Sequence, residues 1–251
     1  MDVEIWSDIA CPWCYVGKRR FEAALAQYEG AEDLNVRWRS FELDPTAPAS
    51  RERNGPEHLA EKYGMSVDEA RARQQHLRDM AAGDGLDMRF DLTRGGNTFD
   101  GHRLLQLAAE HGLQTEMKER LMRAHHTEGE LISDHDTLVR LAEEVGVPGA
   151  AEMLASDRFA AEVREDEALA RGIGINAVPT FVVDRRLGVS GAQPPEVLLE
   201  LLRKGAPVSS PRSRRRARTA APCRSGRRSR SGRGRTSSPA ACSAAAPSPG
   251  R

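Results

Sequence analysis

The placement of β-forming residues constrains this chain most. Residues 3–7 are a short apolar run that ends in a polar turn. From Pro12 onward Tyr15, Val16, Phe21, Leu25 and Tyr28 recur at helical spacing, and Gly30 marks the expected end. Leu34, Val36 and Trp38 then alternate with Asn35, Arg37 and Arg39, the pattern of a half-buried strand running to about Leu43. Strand signals return only over residues 180–183 and 187–190, joined by the turn Asp184-Arg185-Arg186. A helix over 197–202 follows, with Pro194-Pro195 at its start. Neither β-containing end is large enough to fold alone. Their strands must share one sheet, which predicts an α/β fold of order βαβ…ββα.

Between Asp44 and Gly172 the pattern is helical throughout. Helices are expected over 56–63, from the capping box Ser66-Val67-Asp68-Glu69 to about Ala82, and over 98–111, 114–126, 134–145, 150–155 and 158–171. Gly112 and Gly146 stand just past two of the ends. The expected organisation is a β-containing part over 1–48, an all-helical insertion over 49–172, a second β-containing part over 173–204, and a tail over 205–251. The tail is built almost wholly from Arg, Ser, Ala, Pro and Gly, and such a composition predicts disorder. It fits a natural extension or a GC-rich gene read out of frame. The net charge of 0 hides a division: 25 basic against 37 acidic residues up to Lys204, then 12 arginines and no acid. A basic tail can meet phosphates, but no aromatic residues are interleaved for base stacking. Nucleic acid is therefore not the expected partner.

The chain has 4 cysteines: Cys11, Cys14, Cys223 and Cys242. The last two lie in the tail, so the globular part has no disulfide framework. The N-terminus lacks a basic segment followed by an apolar run, so no signal peptide is read there. No apolar stretch approaches the roughly 18–20 residues that span a bilayer. The expected compartment is the cytoplasm, where a Cys-x-x-Cys pair is redox-active or metal-binding rather than structural.

Cys11-Pro12-Trp13-Cys14 falls between the first strand and the first helix. Unpaired N–H groups and the helix dipole there stabilise a thiolate on Cys11. Cys14 lies one turn further along the same face, within reach to close a disulfide or resolve a mixed one. Pro12 suits a helix start because its missing N–H would have been unpaired. Trp13 is placed either to line a substrate groove or to pack locally. A zinc site needs further ligands, and no second pair is present, so no metal is expected. Val178-Pro179, immediately before a strand, suits a cis peptide, and the alternative is a trans proline that starts an edge strand.

These segments together resemble a known family. Trp6-Ser7-Asp8, Cys11-Pro12-Trp13-Cys14, Gly17-Lys18-Arg19, Asn97-Thr98-Phe99 with His102-Arg103, Ala177-Val178-Pro179-Thr180-Phe181 and Ser190-Gly191-Ala192-Gln193 are similar to the FrnE-like cytoplasmic branch of the DsbA family, over residues 1–203. The resemblance implies a thioredoxin fold with an all-helical insertion and dithiol–disulfide oxidoreductase or isomerase activity, without a cofactor. It implies that Val178 and Pro179 form a cis-proline loop facing Cys11 and Cys14. There the Val178 backbone would pair with a substrate chain and the proline would keep metal ions off the thiols. His125-His126 depart from the aromatic expected nearby, a change expected to alter the surface of the helical part and not the redox centre.

The expected function is exchange with disulfide- or thiol-containing proteins or small molecules, fed by an electron donor the sequence does not name. Two alternatives stand beside it. One is a glutathione-dependent isomerase or transferase of the 2-hydroxychromene-2-carboxylate isomerase or kappa type, which normally carries serine near position 11. The other is a redox-inactive binding module with a basic tail. Asp8, just before the cysteines, is read as a proton relay or a turn residue. Asn97, Phe99 and His102 are read as capping and packing residues that could face the site. Met80, Met88, Met117, Met122 and Met153 are read as core filler.

Overall fold

The strands at the two ends of the chain meet in one sheet. The computed structural model describes residues 1–51 and 55–206. In chain order the elements are β1 (Asp2–Ser7), α1 (Pro12–Leu25), β2 (Asn35–Ser40), α2 (Pro56–Tyr63), α3 (Val67–Gly83), α4 (Phe99–Glu110), α5 (Gln114–Arg123), α6 (His135–Val145), α7 (Ala150–Leu154), α8 (Ala160–Gly172), β3 (Thr180–Val183), β4 (Leu187–Ser190) and α9 (Pro195–Gly205). The sheet order is β2-β1-β3-β4. β2 runs parallel to β1, while β3 is antiparallel to both β1 and β4. The expected tail begins two residues too early, because Gly205 ends α9 and Ala206 caps it, and the rest of it lies outside the described residues. No helix among the described residues is long and apolar enough to cross a membrane.

β1 is the centre of the sheet and is buried on both faces. Val3 and Ile5 pack with Phe21 of α1, Phe181 of β3, and Leu198 and Leu202 of α9. Trp6 points the other way, as strand alternation requires, and its indole N–H donates to the Asp166 carbonyl of α8 at 3.0 Å. The Asp166 carboxylate ties that face together. It accepts from Arg39 at 2.7 Å, from the Ser40 N–H at 3.0 Å and from Gln106 of α4 at 2.9 Å. On the outer edge of β2 the Gln114 side chain accepts from the Trp38 N–H at 2.9 Å and donates to the Trp38 carbonyl at 3.0 Å. One amide of α5 thus closes an edge that would otherwise be free to pair.

The second and larger core joins α1 to the helical segment, with Cys14, Tyr15 and Val16 against Leu104, Met117 and Leu121. Met88, Met117, Met122 and Met153 are buried as expected, whereas Met80 is only half-buried. The N-cap half of the expected capping box forms at α3, where the Ser66 hydroxyl accepts from the Glu69 N–H at 3.1 Å, while the Glu69 carboxylate accepts from Arg73.

Three boundaries differ from the expectation. α1 stops at Leu25, and Gly30 (φ +99°) instead opens a single 3-10 turn, Ala31–Asp33. β2 stops at Ser40 and not near Leu43, because the Ser40 and Leu43 N–H groups donate to carboxylates of Asp166 and Asp8. The helix expected over 114–126 leaves α geometry after Arg123 and continues as a π turn, Ala124–Glu128, closed by Gly129 (φ +74°). A Cβ at Gly129 would lie 2.7 Å from the Leu92 carbonyl oxygen, so this stop admits little but glycine.

Ser66→Ala removes the cap of α3 and is expected to lower the unfolding free energy by about 1 kcal/mol. Urea denaturation with an unchanged slope would show it, and an unchanged midpoint would contradict it.

Candidate active site

Cys11 is the N-cap of α1 (φ −85°, ψ 112°), with Pro12 at the first helical position. Its carbonyl accepts from the Cys14 and Tyr15 N–H groups at 3.0 and 3.3 Å. Both thiols are free and both are buried. Cys11 is only 4% exposed and lines a cleft. Its Sγ donates to the Val178 carbonyl at 3.9 Å. Burial pushes the Cys14 thiol well above its usual range, and the hydrogen bond to Cys11 and the charge there push the same way.

The Val178–Pro179 peptide is cis. The loop that carries it is held by Gly17 of α1, where a Cβ would sit 2.7 Å from Pro179 Cγ and 3.4 Å from Phe181 Cζ. The Pro179 carbonyl accepts from the Gly191 N–H at 2.7 Å, and Thr180 Oγ1 donates to the Ala177 carbonyl at 2.8 Å.

The turn between β1 and α1 is gripped by three buried side chains of the helical segment. Lys118 Nζ of α5 donates to the Ser7 carbonyl at 3.3 Å. His102 Nε2 of α4 faces the Asp8 carboxylate at 3.4 Å. His126 Nε2 of the π turn donates to the Ile9 carbonyl at 3.0 Å. Burial pushes the Asp8 carboxyl up, but His102, the Leu43 N–H and Lys118 outweigh it and hold it at about 2. Burial lowers Lys118 to about 8, with the cysteines and Asp8 opposing that fall. Burial also lowers His126 well below its usual value and His125 to about 4, so both imidazoles are neutral near pH 7. The two histidines thus lie inside, against the turn that carries Cys11, and not on the surface as expected. Ala124, His125 and His126 are all buried on the π turn, and His126 stacks on Tyr15 at 5.7 Å.

A cleft of about 420 Å³ opens beside Cys11, between Pro12, Trp13 and His125 on one wall and Leu59 and Tyr63 of α2 on another. Trp13 is 39% exposed at its rim, which favours the groove over local packing. Of the other weighed residues, Asn97 caps α4 by accepting from the Phe99 N–H at 2.7 Å. Phe99 takes the Arg164 guanidinium over its ring at 4.3 Å. Just past Gly83, the end of α3, the Asp84 carboxylate accepts from Arg20 Nε at 2.8 Å. Among the described residues no three His, Cys, Asp or Glu side chains are grouped to hold a metal ion.

The structure brings Cys11, Cys14, Pro12, Trp13, Val178 and Pro179 together. Sequence reasoning missed Lys118. Its one signal is that it follows Gln114 by four residues and precedes Met122 by four, on the inward face of α5.

Comparison with known proteins agrees with this geometry. The description "DSBA-like thioredoxin domain" matches residues 2–203. A structure described as a probable DsbA oxidoreductase from Streptomyces coelicolor is 43% identical, with a TM-score of 0.77 over 82% of this chain and 89% of that one. Protein YwbO of Bacillus subtilis strain 168, itself uncharacterised, is 29% identical over 195 residues, which are 72% of this chain and 86% of YwbO. The cytosolic disulfide reductase DsbM of Pseudomonas aeruginosa, solved also with glutathione, shares the fold at 23% identity, with a TM-score of 0.58 over 81% of this chain and 98% of DsbM.

Two predictions follow from the geometry. Gly17→Ala forces the Pro179 ring away from α1 and with it the Val178 carbonyl from Cys11. The expected result is a KM for a peptide disulfide raised at least about 10-fold, the loss of one positioned hydrogen bond or more, with helix content by circular dichroism kept. An unchanged KM would refute the contact's role. The second concerns Glu42, beside Leu43. Burial pushes its carboxyl from the usual 4.5 up to about 7, against Arg164. A folded-state value above the unfolded one gives stability that is complete below the unfolded value and is lost as pH rises through the folded one. Glu42→Gln fixes the uncharged form, so melting temperatures of variant minus wild type should climb from about pH 5 to pH 8. Parallel curves would contradict this.

Proposed function

The chain belongs to the DSBA-like thioredoxin domain family, and on that premise we propose that it catalyses thiol–disulfide exchange through Cys11 and Cys14. The observation that carries the reading is one arrangement: Cys11 at a helix N-cap on the cleft wall, beside the Val178 carbonyl, with Cys14 buried behind it. In it the Cys11 thiolate attacks one sulfur of a substrate disulfide, and the other substrate sulfur leaves. Cys14 then attacks Cys11, the Cys11–Cys14 disulfide forms, and the second substrate thiol departs. Run backwards, the same steps oxidise a substrate dithiol.

The main chain of half-buried Val178 would pair with an extended substrate, and Trp13 and Pro12 would cover its far side. The cleft also admits a small disulfide, and the glutathione complex of DsbM makes a small thiol a reasonable electron donor to try. In a reducing cytoplasm the poise favours the dithiol form, hence reduction or isomerisation rather than net oxidation. Cys11 stands where the glutathione-dependent isomerases would carry serine, and Cys14 follows it, which favours redox exchange over that chemistry.

Insulin-disulfide reduction tests the reading. Cys11→Ser is expected to abolish turnover, by at least about 100-fold as for other lost nucleophiles. Cys14→Ser should instead accumulate a mixed disulfide on Cys11, visible by intact mass. Equal rates for wild type and Cys11→Ser would exclude the mechanism.

A further inference from the structure

We propose that His125 is a specificity-determining residue of the cleft, whose Nε2–H donates to a carbonyl or carboxylate oxygen of the substrate close to the disulfide that Cys11 attacks. This rests on the exchange reading above.

His125 is 3% exposed and lines the cleft together with Cys11, Pro12 and Trp13. Five side chains among the described residues hold a sealed polar atom without a hydrogen-bond partner: Ser7, Arg19, Glu42, His102 and His125. Of these, His125 alone lines the cleft. An unpaired polar group inside a protein is costly, so a histidine at this wall points to a partner that arrives from the cleft. Its neighbours on the wall have theirs. His126 Nε2 donates to the Ile9 carbonyl at 3.0 Å, and the Asp8 carboxylate accepts from the Leu43 N–H at 2.8 Å.

The ring is held from several sides. It meets the His126 ring edge-on, with centroids 4.7 Å apart, and His126 in turn stacks on Tyr15. The π turn is pinned through its main chain and its next side chain. The Arg89 N–H donates to the His126 carbonyl at 2.7 Å, and the Thr127 hydroxyl donates to the Asp87 carbonyl at 2.8 Å. Because His126 also holds Ile9, two residues ahead of Cys11, His125 keeps a fixed place relative to the Cys11 turn.

The tautomer follows from the surroundings. Burial lowers the imidazole to about 4, so near pH 7 it is neutral and carries one proton. Nδ1 is the sealed nitrogen without a partner. A buried N–H with no acceptor is rarer than a buried acceptor with no donor, so the proton sits on Nε2. Nε2 has no partner among the described residues either, and it is the nitrogen left to face the cleft. The site thus offers one polar pole of each kind. The Val178 carbonyl accepts, as it does from Cys11 Sγ, and the His125 N–H donates. Cysteine, free or in a peptide, brings the matching acceptor, because a carbonyl or carboxylate is attached to its Cα. Leu59, Leu77 and Phe90 of the cleft have no donor to give that oxygen. Thiol–disulfide exchange itself needs no such oxygen, so the selection can be measured apart from the chemistry.

The rate at which the reduced protein attacks three small disulfides tests this. Dithiodipropionate and its neutral diamide place a carbonyl as cysteine does, and hydroxyethyl disulfide has none. His125→Phe keeps the shape of the ring and removes the donor. It is expected to slow attack on the first two about 10-fold, the worth of one hydrogen bond, and on the third by less than about 2-fold. His125→Gln returns an N–H near the place of Nε2 and should restore most of the lost rate. A loss confined to the acid supports the proposal with a carboxylate as acceptor, and a loss shared by the diamide supports it with a carbonyl. Equal slowing of all three marks a packing role and overturns the proposal, as does no slowing of any. A wild type that attacks none of the three overturns the exchange reading itself. Because a buried substitution can unfold a protein, a second measurement keeps the native ring. Mixed disulfides on Cys11 are trapped in Cys14→Ser, and the imidazole nitrogens are followed by NMR. The His125 proton should sit on Nε2 and shift in the mixed disulfides that carry a carbonyl, and not in the one that lacks it. A proton on Nδ1, or one spectrum common to all three, overturns the proposal.

Discussion

The residues just ahead of Cys11 are where the two halves of the molecule depend on each other. Ser7, Asp8 and Ile9 are consecutive, and each is held by a different buried side chain: Lys118, His102 and His126. These come from α5, α4 and the π turn. A strand end by itself leaves such a turn free to move. Here the Ser7 and Ile9 carbonyls and one Asp8 carboxylate oxygen are held from the helical side by buried groups, where each bond is costly to break. The position of the Cys11 N-cap relative to Val178 follows from that grip. The helices between β2 and β3 are therefore part of the redox centre rather than a cover laid over it.

The same grip sets the electrostatics. Burial alone would neutralise every ionisable group in the centre. Asp8 escapes because three N–H donors and a nearby lysine stabilise its charge. His125 and His126 do not escape, and they serve as neutral hydrogen-bonding and packing groups. Lys118 falls between, with one carbonyl and one aromatic face for partners.

The fold was largely legible in the sequence, and for identifiable reasons. Alternation at 34–39 and the paired strands at 180–190 reflect half-buried strands, which period and turn chemistry report directly. The N-cap at Ser66 is local and was readable. Boundaries set by distant partners were not. β2 ends where Asp166 and Asp8 take its N–H groups, and those acids lie far from it in sequence. The site divides in the same way. Cys11, Cys14 and Pro179 announce themselves by spacing and type. Lys118 looks like any helical lysine until the fold buries it. His125-His126 read as surface residues because two adjacent polar side chains give no apolar period, and the π turn that buries them carries no local signature.

Charge adds a final constraint. Up to Lys204 the chain has 25 basic and 37 acidic residues, so a thiolate formed anywhere on it meets a repulsive background. Long-range repulsion is screened over about 8 Å in physiological salt, but groups inside the protein are screened far less. The centre answers with local positive charge. Lys118 lies behind Cys14, and the open N-terminus of α1 meets Cys11. Asp8, the acid just ahead of Cys11, is turned onto donors of its own. An acidic body can therefore carry a nucleophilic sulfur, provided that the cation beside it is held in place, and the contact from Lys118 to Ser7 holds it.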